Sequence, residues 1–192
     1  MKKEIKIGIS GNVGSFSEEA ANYYCQKNNI KNYKLKYLIN AEKTLKTLHD
    51  KKIDKAIFPI ENSNGGIVIE AIYAISNYNF NIKKIFEIDV QHCLLVQRGI
   101  NVSDIKKIAS HPQALKQCRM YIKQKLPNIK LQEYSDTASA AKDLHNNTLT
   151  SDTAVIAPKI CKKLYNLDIL EESIQDLKFN FTTFVVGENL NK

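Results

Sequence analysis

Three short stretches of the chain concentrate side chains suited to holding an oxygen-rich molecule: Gly11 to Ser17, Glu61 to Gly66 and Ser110 to Gln113. They supply hydroxyls, primary amides, one imidazole and several glycines, and few charges. Neutral hydrogen bonds of this kind suit a polar small molecule. They are a poor kit for nucleophilic catalysis, because Ser63 and His111 come with no Gly-x-Ser-x-Gly elbow and no orienting acid. Gly11-Asn12-Val13-Gly14 matches neither the dinucleotide fingerprint nor the P-loop.

Each stretch follows a strand-like run and opens a helix-like one. Ile5–Ser10 leads into a helix from about Glu18 to Gln26, with Ser17 as the expected N-cap. Ala56–Ile60 breaks into Glu61-Asn62-Ser63, turns on Gly65 and Gly66, and enters apolar residues at helical spacing from Ile67 to Tyr78. Ile105–Ala109 is followed by Ser110-His111-Pro112-Gln113 and a helix to about Leu126, with proline at a first helical position. Polar groups at strand carboxyl ends, beside helix amino termini, lie where open α/β sheets bind ligands, and exposed N–H groups there favour anions.

The remaining pattern continues the alternation. Strands are expected at 33–38, 131–134, 154–157 and 182–187, and helices at 41–50, 137–144 and 158–165, the last ending on Asn166 in a left-handed conformation. Lys84–Val96 reads as one long strand and Ile169–Asp176 as a connector. The alternation argues for α/β sheets, and a long middle strand with a late returning one argues for two lobes joined by a double crossover around a cleft. Lobe 1 is expected over about 1–88 plus 178–192, and lobe 2 over about 89–177.

Composition bounds the function. The chain has 192 residues, 43% of them hydrophobic and 25% charged, enough to bury a sizeable core. Its four cysteines (Cys25, Cys93, Cys118, Cys161) are far apart and its four histidines form no ligand-spaced cluster, so no disulfide framework, metal or cofactor is expected. The amino terminus has no apolar leader core and no segment approaches a membrane span, so the expected location is the cytoplasm. The formal charge is +8, but only two arginines, Arg98 and Arg119, occur, and no basic run is interleaved with aromatics. That argues against nucleic acid and leaves an anionic small substrate as the partner.

At this point the chain resembles a known family, the catalytic domain of prephenate dehydratase. The resemblance is carried, in order, by Gly11-Asn12-Val13-Gly14-Ser15-Phe16-Ser17 with Ala20-Ala21, Pro59-Ile60-Glu61-Asn62-Ser63 with Gly66, and His92-Cys93-Leu94-Leu95. It continues through Ser110-His111-Pro112-Gln113-Ala114-Leu115 with Gln117-Cys118, Thr137-Ala138 with Ala140-Ala141, and Asn180-Phe181-Thr182-Thr183-Phe184. It implies two α/β lobes of periplasmic-binding-protein-like form with an interlobe site, in a homodimer or homotetramer. It also implies decarboxylative dehydration of prephenate to phenylpyruvate, toward phenylalanine. Thr182 would then be the catalytic hydroxyl near the leaving group, with Asn62, Ser63, Gln113, Thr183 and Ser15 binding substrate and Phe184 walling its ring. A threonine hydroxyl needs a dry, electropositive surrounding to act as an acid.

Two departures bear on this. The family's Thr-Arg-Phe is Thr182-Thr183-Phe184 here, so a charged fork for a substrate carboxylate is missing. Either Lys178 or Lys159 stands in, or the chemistry has moved. The resemblance therefore leaves open a prephenate decarboxylase that keeps the ring hydroxyl, and a two-lobed binding protein without turnover. The sequence also ends soon after the last strand, so no regulatory ACT domain and no phenylalanine feedback are expected. Taken singly, His92 reads as a core histidine bonded to backbone, and His111 as a helix cap or a site residue. The cysteines and Tyr23, Tyr24, Tyr73 and Tyr78 read as packing.

Overall fold

A computed structural model describes residues 3–190. In chain order the elements begin β1 (Ile5–Ile9), α1 (Phe16–Lys27), β2 (Tyr33–Tyr37), α2 (Ala41–His49), β3 (Lys55–Asn62), β4 (Gly66–Ile67), α3 (Ile69–Asn77) and β5 (Asn81–Asp89). They continue with β6 (His92–Val96), β7 (Lys107–Ser110), α4 (Pro112–Gln117), α5 (Arg119–Lys125), β8 (Lys130–Glu133), α6 (Thr137–His145), β9 (Thr153–Pro158), α7 (Ile160–Leu164), β10 (Asp168–Glu171) and β11 (Phe181–Glu188). The chain divides into two compact units, one reaching to Asp89 and resuming at Phe181, the other spanning Val90–Asn180.

The first unit is built on a sheet ordered β2-β1-β3-β11-β5, with β4 paired to β3. β1 lies parallel to β2 and β3, while β11 runs antiparallel to β3 and β5. Leu45 and Leu48 of α2 pack with Ile53, Ala56, Phe58 and Val185. Complete burial of such side chains contributes roughly 1.5–3 kcal/mol each.

The second unit is ordered β10-β6-β9-β7-β8, with β9 parallel to β7 and antiparallel to β6. Every residue of β9 is buried. Side-chain alternation splits it between two layers: Val155 and Ala157 join α6 residues such as Ala141 and Leu144, and Ala154 and Ile156 join Leu115, Cys118 and Ile122. Helices cover both faces of such a strand, which is why it reads as a solid apolar run.

Several sequence expectations are corrected. Lys84–Val96 is not one strand: β5 belongs to the first sheet and β6 to the second, and between them Val90 donates its N–H to the Asn180 carbonyl at 2.7 Å. The helix expected to run to Leu126 breaks at Cys118, because the Asp176 carboxylate accepts from Met120 N and Tyr121 N and so caps a new helix, α5. Ile67 pairs with Glu61 in β4, so α3 starts only at Ile69. The connector at 169–176 begins inside β10, which adds antiparallel to β6. Asn166 takes its expected left-handed conformation, φ 50°.

Candidate active site

The first unit's polar groups gather where β3 ends and β11 begins. Thr182 stands opposite Asn62 and Thr183 opposite Glu61. The Asn62 amide is fixed by everything around it. Its Oδ1 accepts from Asn64 N at 3.0 Å and Gly65 N at 2.8 Å, an Asx turn that follows from the sequence Asn-Ser-Asn-Gly. Two backbone donors on one face of the amide settle which atom is oxygen, so Nδ2 must point toward β11. There it donates to Phe181 O at 3.2 Å and to Thr182 Oγ1 at 2.9 Å.

Ser63 clamps the same strand. Its N–H donates to Phe181 O at 2.8 Å, and its Oγ accepts from Phe181 N at 3.0 Å. Gly66 then closes the turn at φ +78°, where a side chain would be strained.

The result is a particular state of one hydroxyl. Thr182 is 9% exposed, and its oxygen already accepts a hydrogen bond. Its proton has no acceptor among the described residues. A buried hydroxyl that accepts from an amide is polarised as a donor, because hydrogen bonds in a chain strengthen one another. It can deliver that proton to a departing oxygen.

The neighbouring position differs from expectation. Thr183 is flanked across the sheet by Glu61 and Glu87, and its Oγ1 donates to Glu87 Oε1 at 3.2 Å. The cross-strand partners of Thr182 itself, Asn62 and Ile88, carry no charge, and the acids opposite Thr183 lie on the other face of the sheet by strand alternation, so β3 and β5 supply no electropositive surrounding for Thr182. Neither proposed stand-in supplies it within the first unit: Lys159 pairs with Glu172 at 2.7 Å, and both it and the exposed Lys178 belong to the second unit.

Other expected site residues have structural duties. Phe184 is corrected as a wall for a substrate ring, since it is 1% exposed and stacked on Phe86 with centroids 6.0 Å apart. It lies two residues after Thr182, one step deeper on the strand, where Tyr24 also reaches Phe86. Ser15, not Ser17, caps α1: its Oγ accepts from Glu18 N, and Glu18 Oε2 reaches back to Gly14 N at 2.5 Å. Ser17 is turned inward and donates to Ser10 O. Ser15 is thus committed to the helix, and the acid at that terminus comes from the chain itself.

In the second unit, Gln113 is half-buried at the amino end of α4, with its N–H bonded to His111 Nδ1 at 3.2 Å. His111 is therefore the cap of α4. His92 is a buried core histidine as expected, and its Nε2 bonds a side chain, Gln117 Oε1, at 2.7 Å. Burial pulls its pKa down to about 4, against a smaller upward pull from that hydrogen bond, so the ring is neutral at pH 7. Asn180 Nδ2 donates to the same Gln117 oxygen at 3.0 Å and to Val90 O at 2.9 Å. Sequence reading missed this role of Gln117 and Asn180 as polar residues within apolar surroundings, although both stand in segments singled out by motif.

Burial pushes the thiols of Cys25, Cys93 and Cys118 up, which argues against a thiolate nucleophile. Among the described residues no group of three or more His, Cys, Asp and Glu is placed to hold a metal ion. No helix among them is long and apolar enough to cross a membrane.

The sequence model of the family described as prephenate dehydratase matches residues 7–190. The chain belongs to the prephenate dehydratase family. It is 31% identical over 176 residues to a bifunctional chorismate mutase/prephenate dehydratase of Buchnera aphidicola subsp. Schizaphis graminum, covering 92% of this chain and 45% of that protein. It is 37% identical over 134 residues to an arogenate dehydratase/prephenate dehydratase of Arabidopsis thaliana, covering 70% of this chain and 34% of that one. The chain thus spans less than half the length of these two relatives. Among solved structures, prephenate dehydratase from Arthrobacter aurescens in complex with L-Phe superposes with a TM-score of 0.87 at 26% identity, over 98% of this chain and 61% of that one.

Proposed function

We propose that this family member catalyses the decarboxylative dehydration of prephenate to phenylpyruvate. The observation that carries the reading is the buried Thr182 hydroxyl, held as an acceptor by Asn62 with its proton uncommitted. In this reaction the ring carboxylate leaves as CO2, and its electron pair enters the ring. The C4 hydroxyl departs with one added proton as water, so the dianion and a proton give phenylpyruvate, CO2 and water. Aromatisation supplies the driving force. The protein has to align the substrate and help hydroxide leave, and Thr182 is the donor for that departure. Asn62 and Ser63 act through Thr182, by fixing the hydroxyl and the backbone at Phe181.

Thr183 favours a second reading. With its hydroxyl turned to Glu87 and no guanidinium at that position, a decarboxylase that protonates the ring and keeps the hydroxyl fits the same residues. The names of the relatives also include arogenate dehydratases, so the aminated form of the substrate belongs in the assay. Purified protein incubated with prephenate or arogenate, followed by product identification, separates these outcomes. Phenylpyruvate or phenylalanine supports the dehydratase, and a decarboxylated product with its ring hydroxyl supports the second reading. Saturable binding without turnover refutes both. Thr182→Ala removes the only donor invoked, and unchanged dehydration in that variant takes Thr182 out of the mechanism.

A further inference from the structure

The chain's charge is concentrated in one place. Between Ile105 and Gln132 the sequence has seven of its 28 lysines and arginines and none of its 20 acids, so this stretch alone carries +7 of the formal +8. It folds into β7, α4, α5 and β8 of the second unit. A groove of about 370 Å³ opens there, lined by Leu115, Arg119, Ile122, Lys123, Leu126 and Leu131 among others. Leu115, Ile122 and Leu126 are buried in its floor, and Leu131, on the edge strand β8, is 54% exposed.

Arg119 and Lys123 stand one turn apart on α5, both exposed. Neither forms an ion pair among the described residues, whereas Lys3, Lys52, Lys55 and Lys159 each have a carboxylate. The acids that do reach α5 are occupied: Asp176 accepts from Met120 N and Tyr121 N, and Glu171 accepts from the Tyr121 hydroxyl at 2.7 Å. Like charges at i, i+4 repel slightly, so the helix gains nothing by holding the pair together without an anion.

We propose that this groove binds a small organic acid whose aromatic or branched aliphatic body lies on the leucine and isoleucine floor and whose carboxylate meets Arg119 and Lys123. The volume lies within the range of small-molecule pockets, roughly 300–1,000 Å³. An inorganic anion would make no use of the floor. A single-stranded nucleic acid would want stacking rings, and the named lining side chains are aliphatic or cationic. None of the lining residues belongs to the Asn62–Thr182 constellation, so this ligand and the proposed substrate are separable.

The test is a titration of the full chain against 4-fluorophenylacetate followed by fluorine NMR line broadening, with 4-fluorobenzyl alcohol as the uncharged counterpart. The acid should bind saturably and the alcohol should not over the same range. R119E/K123E should weaken the acid about tenfold or more, since two exposed attractions become repulsions. Leu131→Asp, which puts a carboxylate against the floor without touching α5, should weaken it as well. Circular dichroism checks that both variants fold. Equal binding by R119E/K123E, equal binding of acid and alcohol, or no saturation by about 10 mM overturns the proposal. So does displacement of the acid by prephenate with Leu131→Asp binding unchanged, which places the acid at the candidate active site.

Discussion

If Asn62 works by holding Thr182 as a donor, replacing it with aspartate should damage turnover more than replacing it with alanine. An aspartate carboxylate at this position could still accept from Asn64 N and Gly65 N, so the turn would survive. Its second oxygen cannot donate to Thr182, however, and would take the Thr182 proton for itself. Breaking that charge-assisted bond before the proton can reach a leaving hydroxide costs about 1.5–3 kcal/mol, roughly one to two decades in rate. Alanine loses a neutral bond worth about 0.5–1.5 kcal/mol and frees the hydroxyl to sample about three staggered positions, together roughly a five- to thirtyfold loss.

The assay is steady-state kinetics on wild type, Asn62→Ala and Asn62→Asp, with kcat and KM separated across pH. The expected order in kcat is wild type, then alanine, then aspartate, with KM changed little. Lowering the pH should return activity to the aspartate variant as its carboxyl protonates and regains a donor. An aspartate variant as fast as the alanine variant refutes the reasoning. A rise in KM at unchanged kcat would instead make Asn62 a direct substrate contact.

Other outcomes follow from neighbouring features. Thr183→Arg places a cation between Glu61 and Glu87, and two cross-strand pairs at about 0.2–1 kcal/mol each should raise the melting temperature by a few degrees. The same variant should raise dehydration if the missing charge limits the wild type, and a lower melting temperature would show that the glutamates do not receive it. His92, neutral in the fold with a pKa of about 4 against about 6.5 unfolded, contributes stability that is complete above pH 6.5 and lost as the pH falls toward 4. The loss amounts to about 3 kcal/mol, and urea unfolding of His92→Gln between those values should show a flatter pH slope; an unchanged slope removes His92 as the cause. Finally, α3 packs inward through Ala71 and Ala74 and turns Ile69, Ile72 and Tyr73 outward, an apolar face whose pairing with a second copy of the chain is open to test. Ile72→Glu should lower the mass measured by sedimentation at about 50 μM, and a monomeric wild type at that concentration refutes the contact.

The parts legible from sequence were those set by local chemistry. Asn62-Ser63-Asn64-Gly65 announces a turn with its own acceptor, and the turn in the structure uses that acceptor. The cap of α1 was also legible, but through a spacing passed over: Ser15 and Glu18 form the S-x-x-E pattern, whereas Ser17 merely precedes two glutamates. What sequence hid was set from a distance. Asp176 ends α4 and starts α5 from 55 residues further along the chain than Tyr121, and no local signal at Cys118 foretells it. The break between β5 and β6 did leave a trace, because Glu87 and Asp89 alternate with Phe86, Ile88 and Val90, and the pattern then gives way to the solid apolar run Cys93–Val96. Phe184 differs for a subtler reason: two residues after Thr182, past the partly exposed Thr183, its ring is already buried against Phe86, and proximity along a strand is not proximity to a ligand.

Glu61 and Glu87 flank Thr183, one residue along the strand from Thr182 and on the opposite face of the sheet, and bear on which substrate this end of the first unit tolerates. A doubly negative substrate placed near Glu61 and Glu87 would meet repulsion of about 1 kcal/mol per pair at about 4 Å even in water, and more where water is excluded. The Asp89 charge also helps hold the Glu19 carboxyl above its usual range, after the larger effect of burial, so this end of the first unit gathers several acids. Thr183 leaves that field in place where an arginine would cancel it. A dianion that reached these acids would need a compensating cation from outside β3, β5 and β11, and an aminated substrate would bring one with it. Comparing kcat/KM for prephenate and arogenate in wild type and in Glu87→Gln reads this directly. Removing one carboxylate should favour prephenate relative to arogenate by several-fold, and an unchanged ratio would mean that the acids beside Thr183 do not act on the substrate.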